Sequence, residues 1–109
     1  MARYLVQVSY TAEALAAFVS KPQDRVAGVR ALAERMNGQL ESFDYCLGDY
    51  DVAITFSVPD DTAAVAVALA ASAPGHLKNY KTTKLIAPDE FMEACRRASG
   101  VSYQGPARG

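Results

Sequence analysis

His76 is the first candidate for chemistry, because it is the only histidine in the chain. Imidazole has an ordinary pKa near neutrality, so it suits a general acid or base. The candidate partners, on chemistry alone, are Asp44, Asp49, Asp51 and Tyr80. We predict His76, Tyr80 and Asp44 as catalytic residues. A surface or hydrogen-bonding role is nevertheless the favoured interpretation of this lone histidine, since it follows Pro74-Gly75, where a helix gives way to a strand.

The segment Gly48-Asp49-Tyr50-Asp51 places two carboxylates two residues apart. Such a pair can serve acid–base chemistry or bind a cation. The structural alternative is a hairpin turn, in which Gly48 sets the backbone and Asp49 bonds locally. Asp51 would then satisfy backbone amides or pair with a basic residue. The turn is the favoured interpretation, and a ligand-binding turn at the mouth of a barrel is the alternative.

Three lysines, Lys78, Lys81 and Lys84, recur at intervals of three with Tyr80, Thr82 and Thr83 between them. On a strand, Lys81 points opposite to Lys78 and Lys84, so no continuous basic face forms. An anionic small ligand could meet Lys81 with help from the Thr82 hydroxyl, whereas a solvated strand edge is the simpler reading. The predicted ligand-binding residues are Gly48, Asp49, Tyr50, Asp51, Lys81 and Thr82.

Composition excludes several classes of function. The chain has 109 residues, 11 Lys+Arg and 12 Asp+Glu, giving a formal charge of -1. That length is one domain, and that charge gives no field to attract nucleic acid or an anionic membrane. There is no glycine-rich phosphate loop, nucleophile elbow or zinc-ligand set. We therefore predict no metal, no cofactor, and neither nucleic acid nor membrane as a partner.

The location is predicted from the apolar segments and the two cysteines. The N-terminal apolar stretch is broken by Gln7, and the apolar segment 62–73 has twelve residues where a membrane span needs about twenty. These features favour a cytoplasmic protein. Cys46 and Cys95 lie far apart in the sequence, so two free thiols are expected in a reducing compartment. A disulfide or a reactive thiol is the alternative.

Hydrophobic periodicity predicts eight elements. The predicted strands are residues 3–10, 39–47, 51–58 and 76–86. The predicted helices are residues 12–19, 24–37, 62–73 and 90–98. Glycine and proline interrupt the pattern at the expected boundaries, and no repeat or linker interrupts residues 1–98. The remaining residues, 99–109, have no periodicity and are predicted to be a flexible tail.

The element order predicts an α+β fold. Helical connections on either side of a central hairpin give the ferredoxin-like βαββαβ plait, here with an extra C-terminal helix. Both long helices then cover one face of the sheet. The other face carries a mixture that includes Leu5, Gln7, Ser42, Asp44 and Thr55, which is neither a dry core nor a charged surface. We therefore expect a homodimer packed sheet to sheet, with any pocket between the sheets.

Several short segments occur in an order typical of a known family. They are Gly48-Asp49-Tyr50-Asp51, Gly38-Gln39-Leu40-Glu41-Ser42-Phe43, Arg3-Tyr4-Leu5-Val6, Ser9-Tyr10-Thr11, and Lys81-Thr82-Thr83 with Leu85. Together they resemble the GYD-domain family over about residues 1–98. The resemblance implies the dimeric α+β barrel superfamily, in which two plaits pair sheet to sheet. It implies no particular activity, because relatives by fold include cofactor-free monooxygenases, isomerases, dehydratases, stress-response proteins and regulator domains.

Three functions stay open on the sequence. The first is a small homo-oligomeric protein that binds a small molecule or serves as an interaction module, with the turn 48–51 at the rim of its pocket. The second is a cofactor-free enzyme of monooxygenase, isomerase or dehydratase type that uses His76 and nearby Asp or Tyr residues. The third is a sensor subunit without its own DNA-binding domain, since the chain shows no helix-turn-helix. A cavity that holds His76 or a carboxylate would favour the enzyme.

Overall fold

The computed structural model describes residues 1–107 and shows one antiparallel sheet of four strands in the order β2-β3-β1-β4. The strands are β1 (Ala2–Tyr10), β2 (Gln39–Tyr45), β3 (Val52–Val58) and β4 (Leu77–Leu85). The helices are α1 (Ala12–Ser20), α2 (Val26–Arg35), α3 (Asp61–Ser72) and α4 (Pro88–Ser99). The predicted ferredoxin-like plait with an extra C-terminal helix is confirmed, and the predicted bounds differ from these by at most two residues.

The helix ends follow from local capping. The Thr11 hydroxyl accepts a hydrogen bond from the backbone N–H of Ala14 at 3.2 Å, which starts α1. The Asp60 carboxylate accepts from Ala63 at 2.9 Å and starts α3 in the same way. Asn37 adopts a left-handed φ of 60° after α2, so the chain can turn directly into β2.

Strand alternation sorts the side chains onto two faces of the sheet. The core face carries Tyr4, Val6, Val8 and Tyr10 from β1, and Val52, Ile54, Phe56 and Val58 from β3, all of them buried. Helices α2 and α3 contact this face, α2 over β2 and β3 and α3 over β3 and β4. The parity predicted for β1 and β3, and the placement of both long helices on one face, are confirmed.

The opposite face of the sheet is mixed in character, as the sequence predicted. We call it the open face, and the strand register arranges it in rows. One row runs Asp44, Ala53, Gln7 and Lys81, and the next runs Ser42, Thr55, Leu5 and Thr83. The outer positions on β2 and β4 are exposed, and the central ones on β1 and β3 are half-buried.

Helix α4 stands apart from the rest of the fold. All twelve of its residues are exposed, and Phe91 keeps 61% of its surface and Met92 keeps 52%. The Cα radius of gyration is 18.1 Å, whereas a compact chain of this length has about 13 Å. Within residues 1–107, no helix is long and apolar enough to cross a membrane. The tail predicted over residues 99–109 has no regular structure from Val101 to Ala107, and residues 108 and 109 lie outside the described residues.

Candidate functional site

A cavity of about 600 Å³ lies between the core face of the sheet and helices α1, α2 and α3. Its floor is apolar and consists of Val6, Val8, Ile54 and Phe56. Helix α2 packs mainly against β2 and α3 mainly against β4, so the helices cover the central strands less closely than the outer ones. Small residues facing the gap widen it further, namely Ala17, Gly28, Ala70 and Ala71. The cavity is therefore a product of helix spacing and of small side chains.

Polar groups line part of the same cavity. They are Tyr10, Glu13, Gln23, Arg25, His76 and Tyr80. Burial raises the pKa of the Tyr80 phenol to about 12. Burial also raises the pKa of Tyr10, with the nearby Tyr45 adding to the shift and the Arg25 charge opposing it. Both phenols are therefore neutral near neutral pH and can donate hydrogen bonds to a bound molecule.

The structure brings together two of the three predicted catalytic residues. His76 and Tyr80 both line the cavity, although His76 is largely exposed at its edge. The backbone carbonyl of His76 accepts a hydrogen bond from Thr11 at 2.9 Å, which ties the start of β4 to the start of α1. Asp44 lies on the open face, opposite Ala53, so the sheet separates it from His76. No proton relay joins these three residues.

The turn residues 48–51 lie away from the cavity, at the end of the β2–β3 hairpin. Asp51 accepts a hydrogen bond from the Tyr10 backbone N–H at 2.8 Å, and its own N–H donates to the Val8 carbonyl at 2.8 Å. The Ser9 hydroxyl donates to the Asp49 carbonyl at 3.4 Å. These contacts fasten the turn to the end of β1. None of Gly48, Asp49, Tyr50 and Asp51 lines the cavity.

Lys81 and Thr82, predicted to share a ligand, point to opposite faces of the sheet. Lys81 pairs with Gln7 on the open face, whereas Thr82 pairs with Val6 on the core face. One small ligand therefore cannot contact both side chains from one site. Thr82 instead borders a smaller groove of about 290 Å³ beside α3.

This smaller groove contains a linked group of tyrosine, carboxylate and lysine. The Tyr4 hydroxyl donates to Asp61, and Lys84 Nζ lies 3.0 Å from the same carboxylate oxygen. Burial, followed by the bond to Asp61, raises the pKa of Tyr4 to about 12. The bonds from Tyr4 and Lys84 lower the pKa of Asp61. Every member has a partner, so the group anchors the start of α3 to the sheet.

Two residues that line the cavity from the start of α2, Arg25 and Gly28, were not predicted from the sequence. Gly28 carried a usable signal, because a glycine inside a helix costs about 1 kcal/mol relative to alanine and so suggests a packing or functional reason. Arg25 carried no such signal, because an arginine next to the start of a helix is common on protein surfaces.

Neither metal chemistry nor a disulfide has structural support in the described part of the chain. No group of three or more His, Cys, Asp or Glu side chains among residues 1–107 is placed to hold a metal ion. Cys46 and Cys95 are free and exposed.

The fold and the cavity together define a small α+β protein of ferredoxin-like topology. The sequence places it more narrowly, because the profile of the GYD domain matches residues 4–95. The chain belongs to the GYD domain family, as its motifs predicted.

Similarity to individual proteins is limited to the fold. The chain is similar to the crystal structure of MtbAldR, with a TM-score of 0.57 and 12% sequence identity over 79% of this chain and 52% of that one. The chain thus spans about half the length of that protein, and at this identity the likeness shows the fold alone. No curated protein matches the chain.

Proposed function

We propose that this protein binds a small molecule with a substantial apolar part, and that the cavity above the core face is the binding site. The observation that carries the proposal is the cavity of about 600 Å³ with an apolar floor and a few polar groups. Known ligand pockets have volumes of roughly 300–1,000 Å³ and the same composition. This proposed pocket lies inside one subunit, and the pocket expected between two sheets stays a separate prediction.

The experiment fills the cavity and measures binding. Gly28→Leu places a side chain into the gap without strain, because a Cβ at residue 28 meets only Arg25 Nη2, at 3.9 Å. Ala71→Phe fills the gap from α3. We expect both variants to fold and to lose the methyl NMR shifts that decan-1-ol produces in wild-type Val6, Val8 and Ile54.

The matched control is Ala27→Leu, an exposed position of α2 that does not line the cavity. It should bind decan-1-ol as the wild type does. Native mass spectrometry of the purified protein gives a second readout, namely a retained molecule that both filling variants lack. If the wild-type methyl resonances do not move and no molecule is retained, the proposal is wrong.

We also propose that the protein acts as a homodimer, paired through the open face and α4. The open face is half-polar, and α4 leaves Phe91 and Met92 uncovered. A twelve-residue helix without a partner is marginal in water, since isolated helices need roughly 12–15 residues or more. A second copy supplies both an open face and an α4 of the same kind, so one symmetric contact can cover all of these surfaces.

A cofactor-free enzyme is the second candidate, and one observation favours it: His76 and Tyr80 lie on the wall of the same cavity. Neutral Tyr80 could donate a hydrogen bond while His76 exchanges a proton with a bound substrate. His76→Gln should then abolish turnover of a molecule retained by the wild type and leave its binding intact. Unchanged conversion in that variant would exclude this role.

A further inference from the structure

Arg25 lines the cavity and lies immediately before α2. Its side chain is half-buried, and its guanidinium lies close to Gly28, where an added Cβ would be 3.9 Å from Nη2. Because residue 28 is glycine, no side chain from that position covers this side of the guanidinium. The charge is therefore presented towards the space that the cavity encloses.

The charge of Arg25 is not neutralised within residues 1–107. No carboxylate oxygen of these residues lies within 4.0 Å of its guanidinium. Its one side-chain hydrogen bond there is donated from Nη1 to Gln23 Oε1 at a long 3.4 Å. A guanidinium has five N–H donors in a planar fork, so most of them are available to a ligand.

The other ionisable side chains on the cavity wall do not replace that partner. Glu13 on α1 and His76 at the start of β4 line the cavity but are both exposed. A cation that is partly removed from water beside an apolar wall gains from an anionic partner that brings two acceptor oxygens. Carboxylates match this geometry, because they accept two parallel bonds from arginine.

We infer that the ligand of the cavity is an amphipathic acid, whose carboxylate pairs with Arg25 and whose apolar body lies over Val6, Val8 and Ile54. This inference rests on the proposed function and adds the chemical class of the ligand. The apolar floor favours a ligand with an apolar body, and Arg25 favours a ligand with a carboxylate head group. The neutral Tyr10 phenol, close enough for its pKa to respond to the Arg25 charge, provides a further donor.

The experiment compares two probes that share one apolar chain, decanoate and decan-1-ol, by NMR titration near neutral pH. We expect the wild type to bind decanoate about tenfold or more tightly than decan-1-ol, as a charge-assisted bond predicts. Arg25→Met keeps the length and apolar character of the stem. It should remove this preference and leave the affinity for decan-1-ol within about twofold of wild type.

The matched control is Arg35→Met, an exposed arginine of α2 that does not line the cavity. It should keep the wild-type preference for decanoate. Arg25→Gln serves as a second variant if Arg25→Met does not fold, and the wild-type ratio of the two affinities tests the inference without any variant.

The possible results separate this inference from the proposed function. If both probes bind the wild type equally, or if Arg25→Met retains the preference for decanoate, the ligand class is wrong and the cavity remains a binding site. If Arg25→Met weakens both probes equally, Arg25 does not select the head group and the inference also fails. If neither probe binds the wild type, the proposed function fails and the inference fails with it.

Discussion

The carboxylate of Asp51 accepts a 2.8 Å hydrogen bond from the backbone N–H of Tyr10. This bond joins the end of the β2–β3 hairpin to the last residue of β1, and the Asp51 N–H returns a bond to the Val8 carbonyl at 2.8 Å. Tyr10 is buried, so its N–H cannot rely on bulk water. The acidic turn therefore completes hydrogen bonding that the end of β1 would otherwise lack.

Asp51→Ala should destabilise the protein by about 1–3 kcal/mol, because it leaves a buried backbone donor without an acceptor. Urea unfolding followed by circular dichroism measures the loss. Asp51→Asn keeps an acceptor oxygen and should cost less. Asp49→Ala is the control, since the Asp49 contact that fastens the turn uses the backbone carbonyl, and it should change stability by less than about 0.5 kcal/mol. Equal losses for the two alanine variants would contradict this role of the carboxylate.

The sequence was sufficient to predict the strands, the helices and the topology of the fold. Alternation in β1 and β3 is regular, and Thr11, Asp60 and Pro88 mark helix starts by capping or by their fixed φ. The order of strands and helices along the chain then restricts the possible connections to a few topologies. These signals are local, so a single sequence carries them.

The candidate site depended on features that are not local. Strand register decides that Lys81 and Thr82 face opposite ways, and the sheet separates Asp44 from His76. The cavity lies where α2, packed mainly against β2, and α3, packed mainly against β4, cover the central strands less closely, which is a property of helix packing rather than of any residue pattern. Chemistry-bearing residues could thus be selected from the sequence, but their grouping could not.

Gly38 is a position where no side chain fits. A Cβ there would lie 2.2 Å from the Ser57 carbonyl oxygen and 2.6 Å from Val58 Cγ1, so the backbone of β3 would have to move. Gly38→Ala should lower the free energy of unfolding by about 1–3 kcal/mol, as overpacking of a core does. Chemical denaturation measures it.

Gly48→Ala is the matched control for that variant, because a Cβ at residue 48 has no neighbour within 4 Å. Its unfolding free energy should stay within about 0.5 kcal/mol of wild type. A Gly38→Ala protein as stable as the Gly48→Ala protein would mean that the α2–β2 connection and β3 are farther apart than the structure shows.

Tyr80 makes the free energy of unfolding depend on pH in the alkaline range. Its pKa is raised to about 12 in the folded protein by burial, whereas an unfolded tyrosine titrates near the ordinary value of 10.0. The unfolded chain loses this proton first, so the contribution to stability is complete below pH 10 and is lost as the pH rises towards 12. Tyr80→Phe should therefore flatten the decline of stability across this interval.

Phenolate absorbance provides the direct measurement of that pKa. The wild type should show a late step near pH 12 that Tyr80→Phe reduces. The control is Tyr103→Phe, which changes a side chain that is 85% exposed and lies outside the cavity, and it should leave the late step in place. If Tyr80→Phe removes an early step, then Tyr80 is solvated and the cavity wall is more open than described.

Phe91 tests whether α4 takes part in self-association. The spacing of α4 puts Phe91, Cys95 and Ala98 on one stripe, and Glu93 pairs with Arg96 and Arg97 on the other side. Burying a phenylalanine side chain contributes about 1.5–3 kcal/mol, so Phe91→Ala should weaken the dimer about tenfold or more in sedimentation at micromolar concentration. Arg97→Ala removes a side chain from the polar side and should leave the dimer intact. A wild-type monomer at that concentration would exclude the homodimer. An intact Phe91→Ala dimer would restrict the contact to the open face.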